Sequence, residues 1–190
     1  MINYNDWIEF EVSRLFTIKS PAPRTIKTYT KGTVPYVSSG GVNNGIISYL
    51  EPKKDEELEK GNCITVSPLK GTPAFFQDTD FLGRGGAGSA ISMLYNDNLT
   101  KYNALFICTI IKICATKFDY SDAFTSENLR TLRLPLPAKR NHDGSMYIDK
   151  EKMYNDDGFM PDWKFMDEYM TSIEEKSQNR IDILKQISLL

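Results

Sequence analysis

The chain has 190 residues, 41% hydrophobic, 25% charged and 12% aromatic, with a formal net charge of −2. This is the profile of a folded domain with an appendage, and it excludes a disordered, fibrous or disulfide-stapled chain. The longest apolar run, over 104–115, is interrupted by Lys112 and too short to cross a bilayer, and the acidic start with Asp6 and Glu9 lacks a signal-peptide pattern, so a cytoplasmic protein is expected.

Asp6-Trp7 opens a short helix or strand that runs to Leu15. Ser20-Pro21-Ala22-Pro23-Arg24 then breaks any helix, because proline fixes φ and restricts its predecessor. Residues 12–50 hold Arg14, Lys19, Arg24, Lys27 and Lys31 and no acidic residue. Such a stretch is either an anion-facing surface or a cluster neutralised in space by Asp55, Glu56, Glu57 and Glu59. Val34-Pro35-Tyr36-Val37 is expected as a strand, Gly40-Gly41 and Asn43-Asn44-Gly45 as turns, and 46–50 as the second arm of a hairpin. The acidic run 55–59 is expected as a solvated turn of helix. Strands follow at 63–66 and 74–77 with Lys70-Gly71 turning between them, then a glycine-rich loop over 83–88 and a strand over 90–95.

Asn98 is placed to cap a helix over 99–116, whose buried face would carry Tyr102, Leu105, Phe106, Thr109, Ile110 and Ile113. Leu132-Arg133-Leu134-Pro135-Leu136-Pro137 suits only an edge strand, because each proline lacks an N–H. Composition then turns polar over 138–160, expected as a linker or flap. Pro161-Asp162 starts a helix of about 27 residues with Met166, Met170, Ile173, Ile181, Leu184 and Ile187 at three- and four-residue spacing. Such a helix either packs back on the β-rich part or pairs with another helix, from a second copy or a partner. The expected organisation is α+β: a β-rich domain with one core helix over 1–137, the linker or flap, and a long C-terminal spacer and dimerisation helix over 161–190. Charge divides with it, +3 over 1–140 and −5 over 141–190, so the two parts are expected to meet different partners.

Catalytic chemistry finds little support. Cys63, Cys108 and Cys114 form no C-x-x-C pair and fit core positions, and the single histidine, His142, sits in a turn-like Asn-His-Asp-Gly stretch. Neither a zinc set nor a Ser-His-Asp triad can be assembled from these. Phe81-Leu82-Gly83-Arg84-Gly85 fits F-x-G-x-G, and 83–88 fits G-x-G-x-x-G. A dinucleotide or S-adenosylmethionine site needs a helix after the glycines, however, and a β-like segment follows here. Asp162 with Glu174 and Lys176 mimics a metal-dependent nuclease, but on one helix the two carboxylates lie about 18 Å apart. No cofactor, metal or catalytic residue is expected.

What remains is a set of Gly/Asn/Ser-rich loops carrying cations. Arg and Lys neutralise phosphate, and small residues let backbone N–H groups approach it, so these loops suit DNA. The candidate contacts are Lys19, Arg24, Lys27, Lys31, Ser38, Ser39, Gly40, Asn43, Asn44, Lys70, Gly71, Arg84 and Gly85. Among them Asn43, Asn44 and Arg84 are of types that read base edges. Each loop taken alone is also an ordinary β-turn.

The order of segments carries a resemblance. Trp7 with Phe10 and Leu15-Phe16, then 32–38 (Gly-Thr-Val-Pro-Tyr-Val-Ser), Asn43-Asn44-Gly45-Ile46, Ile64-Thr65-Val66, Phe75-Phe76-Gln77, a helix and Leu134-Pro135-Leu136-Pro137 run in sequence. Together they resemble the target recognition domain of type I restriction-modification specificity (S) subunits and of related type II specificity modules. Pro161-Asp162-Trp163 with Phe165-Met166 and Tyr169-Met170 looks like the type II-related ending, where the domain runs into a spacer helix. The resemblance implies a non-catalytic subunit that recognises double-stranded DNA and directs an adenine-type DNA methyltransferase subunit, in some assemblies with a restriction subunit. Full-length S subunits have two recognition domains and two antiparallel helices, and this chain has one of each. That implies either a half-subunit that dimerises through its C-terminal helix to read a palindromic bipartite site, or a domain of a larger enzyme. A competing expectation is an inhibitor or interaction module that occupies a methyltransferase's specificity slot without binding DNA.

Overall fold

Short β-branched and aromatic runs bounded by Gly, Pro and Asn build the sheets of the computed structural model, which describes residues 6–68, 74–86, 90–116 and 126–187. In chain order these are β1 (Trp7–Glu11), α1 (Val12–Leu15), β2 (Thr17–Lys19), β3 (Lys31–Val37), β4 (Ile46–Leu50), β5 (Cys63–Val66), β6 (Ala74–Gln77), β7 (Leu82–Gly83), β8 (Ser92–Tyr95), α2 (Lys101–Ala115), α3 (Ser126–Thr131), β9 (Arg133–Pro137) and α4 (Trp163–Ile187). One sheet has the order β2-β8-β5-β6, a second β4-β3-β7, and β1 pairs with β9. The α+β class is as expected, and β4, β5 and β6 fall on the residues their patterning predicts.

The main core lies beneath α2, where Phe10, Leu15, Ile64, Leu94, Ile107, Ile111, Leu134 and Leu136 are buried together. A smaller cluster, with Val37, Cys63, Phe81, Ile91 and Met93, joins the two larger sheets. In β9, Pro135 and Pro137 lie two residues apart, so both missing N–H groups fall on the same side of the strand, and its pairing with β1 survives.

The core helix departs from expectation in its cap and its face. Thr100, not Asn98, is the cap, because Thr100 and Asn103 form a reciprocal capping box, with the Asn103 N–H donating to Thr100 Oγ1 and the Thr100 N–H to Asn103 Oδ1 at 2.9 Å. Asn98 instead donates to the Tyr154 hydroxyl. The buried face is broad, taking in Ala104, Ile107, Cys108, Ile111 and Cys114 and leaving Leu105, Thr109 and Ile113 exposed. It is broad because α2 is covered twice, by the sheet strands β5, β6 and β9 and by α4.

The run 55–59 is not a helix. It is a turn with Asp55 at φ 60°, closed by the Glu56 N–H on the Lys53 carbonyl at 3.1 Å, and it is pinned because Glu56 and Glu59 turn inward onto Arg24. Residues 138–160 form an ordered excursion that folds back on itself through bridges Ala138–Pro161, Arg140–Met146 and Ile148–Phe159. Tyr154 is buried in the main core, Met146, Phe159 and Met160 pack against it, and Asp156 pairs with Arg14. This segment is a docked flap, not an extended linker.

Asp162 caps α4 by accepting from the Phe165 N–H at 2.9 Å. Over its first half the helix packs back on the body. Met166 is fully buried and Met170 rests against the core, so these two expected interface residues serve the protein's own interior. Asp167 accepts from the Asn103 N–H at 3.0 Å and from the Thr100 hydroxyl, which places a carboxylate of α4 on the N-terminus of α2. From Ile173 to Ile187 every residue is exposed, an arm of about 22 Å. Ile173, Ile181 and Leu184 lie on this arm. Asp167→Ala is expected to cost about 1–2 kcal/mol of stability, seen as a lower thermal midpoint, because it strips the outer cap from α2. An unchanged midpoint would show that the capping box suffices alone.

Candidate nucleic-acid interface

The hairpin β3–β4 ends in a loop over 38–45 that is braced on several sides. Asn43 and Asn44 have φ of 51° and 53°, followed by Gly45 at 74°. The Gly45 N–H donates to the Val42 carbonyl at 2.9 Å, which closes a primed turn of the kind Asn and Gly tolerate. Gly45 is required here, since a Cβ would lie 2.8 Å from the Ser38 carbonyl oxygen. At the loop's base the Ser38 N–H donates to the Gly45 carbonyl at 2.9 Å, and Ser67 Oγ donates to the Ser39 carbonyl at 3.2 Å. On its flank the Gln77 side-chain amide donates to the Asn44 carbonyl at 2.9 Å.

Arg84 meets this loop at its root. Its N–H donates to the Val37 carbonyl at 2.8 Å, its carbonyl accepts from the Ile91 N–H, and its side chain is half-buried. The tyrosine Tyr36 lies close enough to feel both Arg84 and Arg24. Burial raises its phenol pKa, and the two cations oppose that rise. The structure therefore brings together Ser38, Ser39, Gly40, Asn43, Asn44 and Arg84. Asn43 and Asn44 are exposed, whereas Ser38 and Ser39 are buried and offer mainly backbone. Lys70 and Gly71 lie outside the described residues.

Arg24 belongs elsewhere. Its side chain is 3% exposed, and its guanidinium donates to Glu56 Oε1 at 2.8 Å, Glu59 Oε1 at 2.7 Å and the carbonyls of Gly83 and Glu57 at 2.9 Å each. Burial alone would lower its pKa, but the two carboxylates outweigh burial and the net shift is upward. Four of its five N–H donors are used internally and the side chain is almost wholly buried, so it is not placed to meet a phosphate. Gly85 is likewise structural. It bridges Pro23, and a Cβ there would lie 2.0 Å from the Pro21 carbonyl oxygen, so its smallness serves a neighbouring strand of the same chain. Lys19 is exposed with its ammonium 5.2 Å from the Tyr95 ring centre. Lys27 is exposed on a 3-10 turn (Ile26–Thr28), and Lys31 is exposed at the far end of β3 from the Asn43-Asn44 turn. The basic stretch 12–50 is thus not a single patch.

Two residues of this region escape residue-type reasoning. Val42, at the crest of the loop, is 78% exposed, the most exposed large apolar side chain among the described residues. Gln77 is only 5% exposed, although a glutamine ending a strand carries no sign of burial in sequence.

The cysteines behave as interior fillers: all three are buried outside any disulfide, and burial pushes the Cys63 thiol up to about 12 and raises that of Cys108. Among the described residues no group of His, Cys, Asp and Glu could hold a metal ion, and no helix is long and apolar enough to cross a membrane.

Comparison with known proteins bears on the same region. The model of the type I restriction modification DNA specificity domain matches residues 4–182. The specificity subunit S.BcgI of a type II restriction enzyme from Heyndrickxia coagulans is 25% identical over 188 residues, covering 96% of this chain and 48% of that protein. Two crystal structures share the fold. The S subunit of a type I restriction-modification system from M. genitalium superposes with a TM-score of 0.51 at 13% identity, covering 97% of this chain and 43% of that one. The HsdS subunit from Thermoanaerobacter tengcongensis does so with a TM-score of 0.52 at 14% identity, covering 98% and 41%. The chain spans about half the length of the curated relative it matches.

Proposed function

The chain belongs to the type I restriction modification DNA specificity domain family, and from that premise we propose that it is a non-catalytic, sequence-specific reader of double-stranded DNA. It would direct an adenine-type DNA methyltransferase, in some assemblies together with a restriction subunit, and contribute half of a bipartite recognition unit. The observation that carries this reading is a braced, exposed Asn43-Asn44 turn on a loop that has Arg84 at its root. Asparagine can pair with both edge atoms of adenine in the major groove, and arginine with those of guanine. Lys27 and Lys31, exposed and away from the turn, are suited to phosphate contacts that set register without reading sequence.

The exposed arm of α4 supports a homodimer. Two copies joined through these arms would present two reading turns related by a two-fold axis, the arrangement a palindromic site requires.

Enrichment from a randomised duplex pool at two salt concentrations tests the proposal. A bipartite palindromic consensus is expected. Retention without a consensus, or no retention, would overturn independent recognition and favour a module that occupies a specificity slot without reading DNA. On the consensus duplex, Arg84→Ala is expected to cost ~1–3 kcal/mol and relax one base position, whereas Lys27→Ala weakens all duplexes alike and lowers the salt slope by about one. Equal losses on every duplex for Arg84→Ala would remove its reading role.

A further inference from the structure

The buried amide of Gln77 lies within a hydrogen-bond chain whose donors and acceptors are fixed. Thr65 Oγ1 donates its single proton to the Phe75 carbonyl at 3.2 Å. Its oxygen can then only accept from Gln77 Nε2, which lies 2.9 Å away. The same nitrogen donates to the Asn44 carbonyl at 2.9 Å. The order therefore runs from Asn44 through Gln77 and Thr65 to Phe75, and it allows only one orientation of the amide.

This chain crosses between sheets. Thr65 and Gln77 belong to β5 and β6 in the four-stranded sheet, while Asn44 caps the hairpin of the three-stranded one. Asn44 sits in the left-handed region, where the peptide carbonyl of a turn can swing unless it is held. Gln77 holds that carbonyl from below, while Asn43 and Asn44 remain exposed, the Asn43 side-chain amide donating to the Ile46 carbonyl at 3.3 Å. A side chain that reads a base edge must keep its amide within a few tenths of an ångström of productive geometry, and rigid support of that kind comes from buried hydrogen bonds behind the contact.

From this we infer that Gln77 is a positioning residue for sequence readout: without touching DNA, it sets the height and orientation of the Asn43-Asn44 turn and so determines which base pairs the turn accepts. The inference rests on the proposed DNA-reading function.

Gln77→Met keeps the volume and removes both hydrogen bonds. Gln77→Glu sets a carboxylate against the Asn44 carbonyl. Thr65→Val removes only the far end of the chain and supplies a milder variant should either Gln77 substitution fail to fold. Each is to be compared with the parent and with Asn43→Ala, Asn44→Ala and Arg84→Ala in pool enrichment, in affinity for consensus and scrambled duplexes, and in thermal midpoint. The expected result is a roughly 10-fold loss of preference for the consensus in Gln77→Met, confined to the base pairs that Asn43→Ala or Asn44→Ala also relaxes. The Arg84-dependent position, the affinity for scrambled duplex and its salt dependence stay within about twofold of the parent. Thr65→Val is expected to show the same pattern at smaller amplitude.

An unchanged consensus in folded Gln77→Met overturns the inference alone. A loss spread evenly over all positions and over scrambled duplex also overturns it, and assigns Gln77 a purely structural role. Asparagine variants that relax no position overturn it by removing the reading turn while leaving DNA recognition intact. A parent protein with no consensus at all overturns the DNA-reading function and this inference with it.

Discussion

Arg24→Ala is expected to destabilise the protein by about 3–5 kcal/mol, enough to unfold much of the population at ordinary temperature, while a variant that remains folded binds DNA as the parent does. The cost arises from what the arginine leaves behind. Glu56 and Glu59, less than one fifth exposed, would face each other without a cation, and the carbonyls of Gly83 and Glu57 would lose their donor. Arg24→Lys should recover little, because an ammonium cannot fork between two carboxylates and two carbonyls. Urea unfolding of the three proteins measures the effect. A stable Arg24→Ala protein with uniformly weaker DNA binding would instead return Arg24 to the phosphate backbone.

The same network gives a pH signature. Burial would raise the Glu56 pKa, but hydrogen bonds from the Tyr29 hydroxyl, the Lys53 N–H and Arg24 bring it down from 4.5 to about 2. A carboxylate with a depressed folded-state pKa contributes stability that is fully present above 4.5 and is lost as pH falls toward 2. The parent is therefore expected to lose stability across that interval, and Arg24→Ala to lose less.

For the proposed homodimer, Ile181→Glu combined with Leu184→Glu is expected to give a monomer, to weaken binding to the bipartite duplex by about 10²–10⁴-fold, and to lower the thermal midpoint only by the concentration-dependent share that association contributes. The fold of each copy should hold because both side chains already lie in solvent on the single chain. The loss follows from the pairing geometry. In the proposed pairing, two α4 arms packed antiparallel about Ser177 would set Ile173 level with Ile181 of the second copy and Glu174, which also holds Tyr102 and Lys101 of its own chain, level with its Arg180, so apolar contacts and opposite charges would coincide in one register. Separated copies each hold half a site and forfeit the effective concentration that joins the halves. Light scattering together with titration on whole and half sites reads both effects. A dimer that persists in the doubly charged variant would place the two-fold contact elsewhere.

Much of the fold was legible because its signals are local. Strands β4, β5 and β6 are short apolar runs between Gly, Asn and polar residues, and Pro161-Asp162 marks the start of α4. The misreadings share one cause, a partner distant in sequence. The acidic run at 55–59 has the composition of a solvated helical turn, and nothing near it reveals that Arg24, more than thirty residues upstream, draws Glu56 and Glu59 inward. Arg24 and Gly85 have the residue types of a phosphate site, yet both serve the packing of their own chain. The α2 face was misplaced because periodicity describes a helix covered on one side, and α4 covers a second. At the candidate interface, residue type pointed to Asn43, Asn44 and Arg84, which the fold places at the turn and at the root of one loop. It passed over Gln77, whose importance lies in burial and in hydrogen bonds to β5 and to the turn.

The docked flap bears on how reach and chain length are related. Ala138 bridges Pro161, the Lys139 N–H donates to the Met160 carbonyl, and the Asp162 N–H donates to the Pro137 carbonyl at 2.8 Å, so both ends of the excursion meet at the edge of β9. The direction of α4 is set where it leaves that edge strand and where its first half packs on α2. Changes of length at the exposed turns of the excursion leave that anchor in place, and in the proposed homodimer the distance between two half-sites would be a ruler whose origin is a pair of prolines. For an engineer, the base of the flap is a natural splice point at which foreign sequence can be grafted while the spacing of the target is preserved.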